Sequence, residues 1–219
     1  MSHLIPIWSW IRHEWQLELR QKAGIQGAIL YVMVALVVAY QATGEIQDTE
    51  VWVGLLWIIL LFSVVNSSSR SFANDSPGRK ILLYFWLKPS QLMLARMLYQ
   101  MAFNLVSGSL GFGIFCLLMG FPGSHIAVVL ILVAAGSSAA AALGTFMAAV
   151  ASVSGNGPGL SAILGFPLMV PTLMAAARGS LFAMQGGLAQ AWMYAGMLLL
   201  LNLLAVALGY LLFPYLWRD

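Results

Sequence analysis

Apolar residues run through this chain in six long blocks, at about 24 to 42, 51 to 68, 95 to 119, 126 to 151, 160 to 178 and 190 to 216. Short polar connections separate them. A helix rises about 1.5 Å per residue, so a stretch of about 20 apolar residues crosses the hydrocarbon layer of a bilayer. The blocks are apolar on every side rather than on one stripe, which is the pattern of helices surrounded by lipid or by one another. They predict an all-α polytopic membrane protein of six transmembrane helices, folded as a single transmembrane domain over residues 1–219. An even number of spans puts both termini on one side.

Two shorter patterns accompany the spans. Leu4, Trp8, Ile11, Trp15 and Leu19 recur at helical spacing, with Arg12, Glu14, Gln16, Glu18 and Arg20 between them, which predicts an amphipathic helix lying in the membrane interface. Glu14 and Glu18 interrupt its basic character and the apolar block after Ala23 lacks a small-residue cleavage site, so the segment reads as retained rather than as a signal peptide. Between spans two and three, Ser76-Pro77-Gly78 marks a turn, Arg79 and Lys80 follow, and Ile81-Leu82-Leu83-Tyr84-Phe85-Trp86-Leu87 forms an apolar heptamer closed by Lys88-Pro89-Ser90. A heptamer is too short to span. It predicts a short helix that rests on lipid or is offered to a cytoplasmic partner.

Charge orients the bundle. Arg12, Arg20, Lys22, Arg70, Arg79, Lys80, Lys88, Arg96 and Arg218 fall on one face, nine of the ten basic residues, leaving Arg178. The positive-inside rule makes that face cytoplasmic, with both termini there. Glu45, Asp48 and Glu50, the turn from Phe121 to His125, and the segment from Arg178 to Gln190 lie on the other face. That last segment is too short to cross and is expected as a separate outer piece dipping into the leaflet. Span four carries Gly136, Ala140 and Gly144 on one helical face, a small-xxx-small pattern that invites close packing with a neighbour in the same chain or in a second copy. Span five carries Pro167 and Pro171, which favour a bend and suggest a moving element.

Composition narrows the chemistry. Hydrophobic residues make up 61% and charged residues 8% of 219, and no Asp, Glu, Lys or Arg occurs from Met97 to Ala177 or from Gly179 to Trp217. Ion- and proton-driven carriers keep charged groups at mid-membrane despite a cost of about 2.5–3.5 kcal/mol each; this chain has no such internal driver. The basic excess sits in the connections and orients the spans, so it does not point to nucleic acid. Cys116 is the single cysteine, which excludes an intrachain disulfide and a zinc cluster. There is no phosphate-binding loop, no H-E-x-x-H and no G-x-S-x-G, and Gly155-Asn156-Gly157-Pro158-Gly159 reads as a turn between spans four and five. No catalytic residue and no metal site emerges. His3 and His13 belong to the interfacial segment, and His125, at the outer edge, is a weak candidate for touching a haem or a partner.

The order of elements resembles the membrane subunit of ABC transporters of the ABC-2 exporter type. Within that class the chain resembles the haem exporter protein B family (CcmB), the permease of cytochrome c maturation. The resemblance is carried by Trp52-Val53-Gly54-Leu55-Leu56-Trp57, Ser71-Phe72-Ala73-Asn74-Asp75, Leu92-Met93-Leu94-Ala95-Arg96-Met97 and Gly165-Phe166-Pro167-Leu168-Met169-Val170-Pro171. Arg79 and Lys80 make the loop more basic than is usual in the family, and Arg96 stands where a lysine is common. The resemblance implies a non-catalytic permease of the bacterial inner membrane, multi-pass, with ATP bound and hydrolysed in a separate CcmA-like ABC ATPase subunit. That subunit would dock on the loop around Asp75, Arg79, Tyr84, Phe85 and Trp86, while Pro167 and Pro171 would transmit its motion. A haem-handling membrane protein, a haem chaperone and a second copy of this chain are the further partners it implies, with span four or span one supplying the contact between copies. Haem enters as cargo or on the chaperone that ATP-driven motion releases. Two other readings stay open at this point: an ABC-2 permease for another lipid or glycan cargo, and a non-transporting membrane assembly scaffold.

Overall fold

The computed structural model describes residues 23–44, 48–69, 89–153 and 157–216. Six helices run through them: α1 Ala23–Thr43, α2 Thr49–Ser69, α3 Pro89–Met119, α4 Ile126–Val153, α5 Gly157–Met184 and α6 Leu188–Leu216. Among the described residues there is no strand. Five of the helices, α2 to α6, hold apolar stretches long enough to cross a membrane, and α1 is a 21-residue helix without a charged side chain. The N-terminal amphipathic segment and the loop heptamer lie outside the described residues.

Local chemistry explains where the helices start and stop. Asp48 caps α2, its Oδ1 accepting from the Glu50 N–H at 2.8 Å and its carbonyl from the Trp52 N–H at 2.9 Å. Glu50 in the first turn adds a favourable charge at the positive end of the helix dipole. Pro89 opens α3, six residues before the expected block, because a first-turn proline forfeits no hydrogen bond. α5 does not end at Arg178 as expected but continues to Met184. No proline intervenes, Gly179 is held within the helix by close packing on Leu132 and Tyr194, and the chain turns at Gly186, whose φ of 87° suits glycine, with Gly187 N–H reaching back to Phe182 O at 2.8 Å. The anticipated separate outer piece is therefore the last turns of α5.

α4 is the hub. It packs on α2, α3, α5 and α6, and every residue from Ser137 to Ala149 is buried. The small residues make this possible: a Cβ on Gly136 would lie 2.4 Å from the Trp57 ring and 3.1 Å from Ala176, and one on Gly144 would lie 2.8 Å from Ser68. The small-xxx-small face is thus occupied by α2 and α5 of the same chain. α1 rests on α2 and α3, burying Val32 and Leu36 and exposing most of the other side chains from Leu30 to Ala42.

Residues 44 and 48 and the short connections at 120–125 and 185–187 share one end of the bundle, here the turn end. α2 finishes and α3 begins toward the opposite, loop end. The core divides accordingly. One cluster centres on Trp52, Phe112, Phe115 and Leu198, and a second, toward the loop end, on Met93, Met97, Met147, Met169, Phe146 and Phe213.

Candidate functional site

The turn end is closed by aromatic contacts and satisfied hydrogen bonds. The fully buried Trp52 ring meets Phe115, Phe121 and Phe112 edge-on, with centroids 4.7, 5.6 and 6.3 Å away. Its indole N–H donates to Gly120 O at 3.1 Å, tying the start of α2 to the end of α3. Such aromatic pairs are worth about 0.5–1.5 kcal/mol each beyond the area they bury. Ser124 donates to Met184 O through both its N–H, at 3.0 Å, and its hydroxyl, at 2.8 Å, joining the start of α4 to the end of α5. One turn further in, the Trp57 indole donates to Ser180 Oγ at 3.1 Å and the Ser180 hydroxyl passes the bond on to Ala176 O at 2.8 Å.

Halfway down the helices the character changes. Asn104 and Asn202 stand at the midpoints of α3 and α6, 1% and 7% exposed. The Asn104 amide donates to Gln100 O at 2.9 Å, and its Oδ1 lies 3.0 Å from Ser67 Oγ on α2. Ser67 Oγ is also 3.0 Å from Val64 O. With one proton between two acceptors, the hydroxyl exchanges or shares them. On the other side of α4, the Asn202 amide donates to Ser138 Oγ at 2.7 Å and approaches Ala135 O at 3.4 Å. These pairs bracket α4, where Ser137 fits beside Gly108 of α3. Helices have no hydrophobic reason to associate within lipid, so packing and bonds of this kind hold the bundle.

The layer is only partly satisfied. Gln100 Nε2, Ser68 Oγ, Ser137 Oγ, Thr172 Oγ1 and Asn202 Oδ1 are buried without a hydrogen-bond partner among the described residues. An unmade buried bond costs about 1–3 kcal/mol. None of these five atoms belongs to the turn-end contacts just described. Arg96, grouped from its sequence with the charges beside span three, lies inside α3 and is only 4% exposed. Arg96, Gln100, Asn104 and Gly108 follow one another at steps of four, so they form one face of α3.

Of the residues singled out in the sequence, His125 is exposed at the start of α4, with φ of 57°, and its carbonyl accepts from Val128 N–H at 2.9 Å. It closes a turn. Among the described residues no group of three His, Cys, Asp or Glu could hold a metal ion. Cys116 is a free, half-buried thiol. Pro167 and Pro171 are both exposed on α5, which continues through them. Asp75, Arg79, Tyr84, Phe85 and Trp86 lie outside the described residues. Sequence reasoning passed over Asn104, Asn202, Ser67 and the burial of Arg96. Their signal was available: amides and a guanidinium set in apolar blocks are rare and mark interior faces.

The profile of the family described as CcmB protein matches residues 5–215, nearly the entire chain. The chain belongs to the CcmB family. No curated protein matches it. CcmB membership makes this a membrane protein of haem transport in cytochrome c biogenesis. Two of the motifs that carried the resemblance now have physical roles. Trp52 and Trp57 of the first are the indole donors that join α2 to the end of α3 and to α5. Leu92 to Met97 open the buried face of α3. Among the described residues the interior offers neutral donors and acceptors and the Arg96 guanidinium, a set suited to holding helices together.

Proposed function

We propose that this CcmB-family protein is the permease subunit of an ABC complex in the bacterial inner membrane, with both termini cytoplasmic. ATP hydrolysis in a separate CcmA-like subunit would drive haem transfer or the release of haem-loaded chaperone. The observation that carries the reading is the CcmB match over residues 5–215, on a chain whose long uncharged stretches supply no driver of their own. A membrane protein that does transport work without an internal charge relay needs a motor outside the membrane.

The ATPase would dock on the loop through Asp75, Arg79, Tyr84, Phe85 and Trp86, with the aromatic residues as anchors of the kind that dominate helix-in-groove contacts. Its movement would reach the bundle through α2 and α3, which flank the loop, and through the proline-bearing α5. A second copy would pair with a second ATPase subunit, and a haem-handling membrane protein with its chaperone would complete the assembly.

The test is copurification from native membranes in mild detergent, with proteins identified by mass spectrometry and haem by its absorption. Phe85→Asp together with Trp86→Asp should abolish ATPase recovery while leaving membrane insertion intact. Full recovery of the ATPase with the double variant would remove the docking assignment. Absence of any ATPase with the wild-type chain would remove the permease reading itself.

A further inference from the structure

Two of the unpartnered buried atoms belong to Ser68 of α2 and Gln100 of α3, and the packing of the helices brings them to one place. Both side chains are inside the bundle, 1% and 4% exposed. Counted from the turn-end residues Thr49, Met119 and Ile126 at about 1.5 Å per residue, Ser68, Gln100 and Gly144 all lie about 27–29 Å down their helices. Ser68 is packed on Gly144 of α4, where an added Cβ would lie 2.8 Å from its Cβ and from its Oγ. Gln100 shares the α3 face whose next members reach the same two helices: Asn104 meets Ser67 of α2, and Gly108 meets Ser137 of α4. Ser68 and Gln100 therefore converge on the junction of α2, α3 and α4.

Their chemistry is complementary. The Gln100 amide nitrogen can only donate, and the Ser68 hydroxyl oxygen can accept. Neither has a partner among the described residues, although Ser67 and Asn104 are joined at 3.0 Å across the same α2–α3 interface. Each unmade bond is a cost that pairing the two would remove. The walls of the junction allow the approach. Met97, Met147 and Met169 belong to the same apolar cluster, and methionine repacks readily. Gly144 opposes Ser68 with no side chain, and Ser68 stands in the last turn of α2, next to the loop that joins α2 to α3.

We propose that Ser68 and Gln100 form a latent clasp, apart in this arrangement of the bundle and hydrogen-bonded, Nε2–H to Oγ, in a second arrangement in which the loop ends of α2 and α3 close over Gly144. A bond made in only one of two states is the differential interaction that shifts the balance between them. The clasp favours the driven state and leaves the other with two unpaired atoms, so the bundle does not rest halfway. The inference rests on the proposed ATPase-driven function, which copurification of the ATPase with the wild-type chain tests by itself.

The experiment compares Ser68→Ala, Gln100→Met and the double variant with the wild type, in the full chain and in cells that produce its native membrane partners. Each replacement removes an unpartnered atom, so thermal unfolding in detergent should be unchanged or shifted upward. The initial rate of holocytochrome c formation should fall about two- to tenfold in each single variant, as for the loss of one hydrogen bond. The double variant should be no slower than the slower single one, because the second replacement breaks a bond already lost. ATPase recovery should match the wild type throughout, and Gln100→Leu repeats the comparison with a side chain of different shape. Absence of the ATPase from the wild-type complex would remove the driven state and the clasp with it. With the ATPase present, unchanged rates, losses that multiply in the double variant, or loss of ATPase recovery would each overturn the clasp alone. So would a lower unfolding temperature in Ser68→Ala or in both Gln100 variants, which would mean that these atoms are already satisfied, by water included.

Discussion

The two ends of this bundle solve the same problem with different materials. At the turn end, Trp52 is enclosed by three aromatic rings, and Trp52, Trp57 and Ser124 all have their bonds made. From the middle toward the loop end, the apolar cluster is rich in methionine and five buried polar atoms lack partners among the described residues. Methionine has three rotatable bonds and repacks readily, whereas edge-on aromatic clusters have one good arrangement. Atoms with unmade bonds gain from a second arrangement that pairs them. The difference teaches where motion is inexpensive: under the proposed function the turn end would be the fixed point, and the half next to the loop the part that the ATPase would move.

The strongest challenge to that comparison is Trp52→Ala. It removes the ring at the centre of the aromatic cluster and orphans Gly120 O, so it should cost about 4 kcal/mol. A large drop in the unfolding temperature in detergent is the expected readout. Gly136→Val comes next, at about 2–3 kcal/mol, because a side chain there must displace the Trp57 ring or Ala176. Hydrogen exchange should show the loss spreading along α2, α4 and α5. Asn202→Leu should be much milder, about 1 kcal/mol or less, since it forfeits the bond to Ser138 but also removes an unpartnered buried oxygen. It should reduce haem delivery, measured as holocytochrome c, more than it reduces stability. Ser67→Ala should be mildest, near 0.5 kcal/mol, because Asn104 keeps its bond to Gln100 O. If Asn202→Leu or Ser67→Ala unfolded the protein as readily as Trp52→Ala, the division into a fixed and a movable half would fail.

Much of the architecture was legible before any coordinates. A helix wholly within lipid must be apolar all round, so the six blocks betrayed themselves by length alone, and the six helices follow them closely. Boundaries were less legible where chemistry permits continuation. Pro89 reads as a break but is at ease in a first helical turn, and the stretch after Arg178 reads as a loop only because of its charge. The polar layer was hidden for a different reason. Asn104 and Asn202 are 98 residues apart, and only packing places them on either side of α4. The burial of Arg96 was not foreseen, because a charge near a span end is more often outside than inside. The docking residues from Asp75 to Trp86 were proposed from sequence and stand as a proposal.

Sequence by itself determined the solvent of this protein, its helices and its CcmB kinship, because each of these is written in local composition and in short motifs. Tertiary structure alone decided which helix is the hub, which small residues are already occupied, where the polar atoms meet and which side of α5 faces outward. Lipid exerts the same pull on every apolar surface, so hydrophobicity cannot choose between neighbours. That choice rests on close packing and on single hydrogen bonds between residues far apart in the chain.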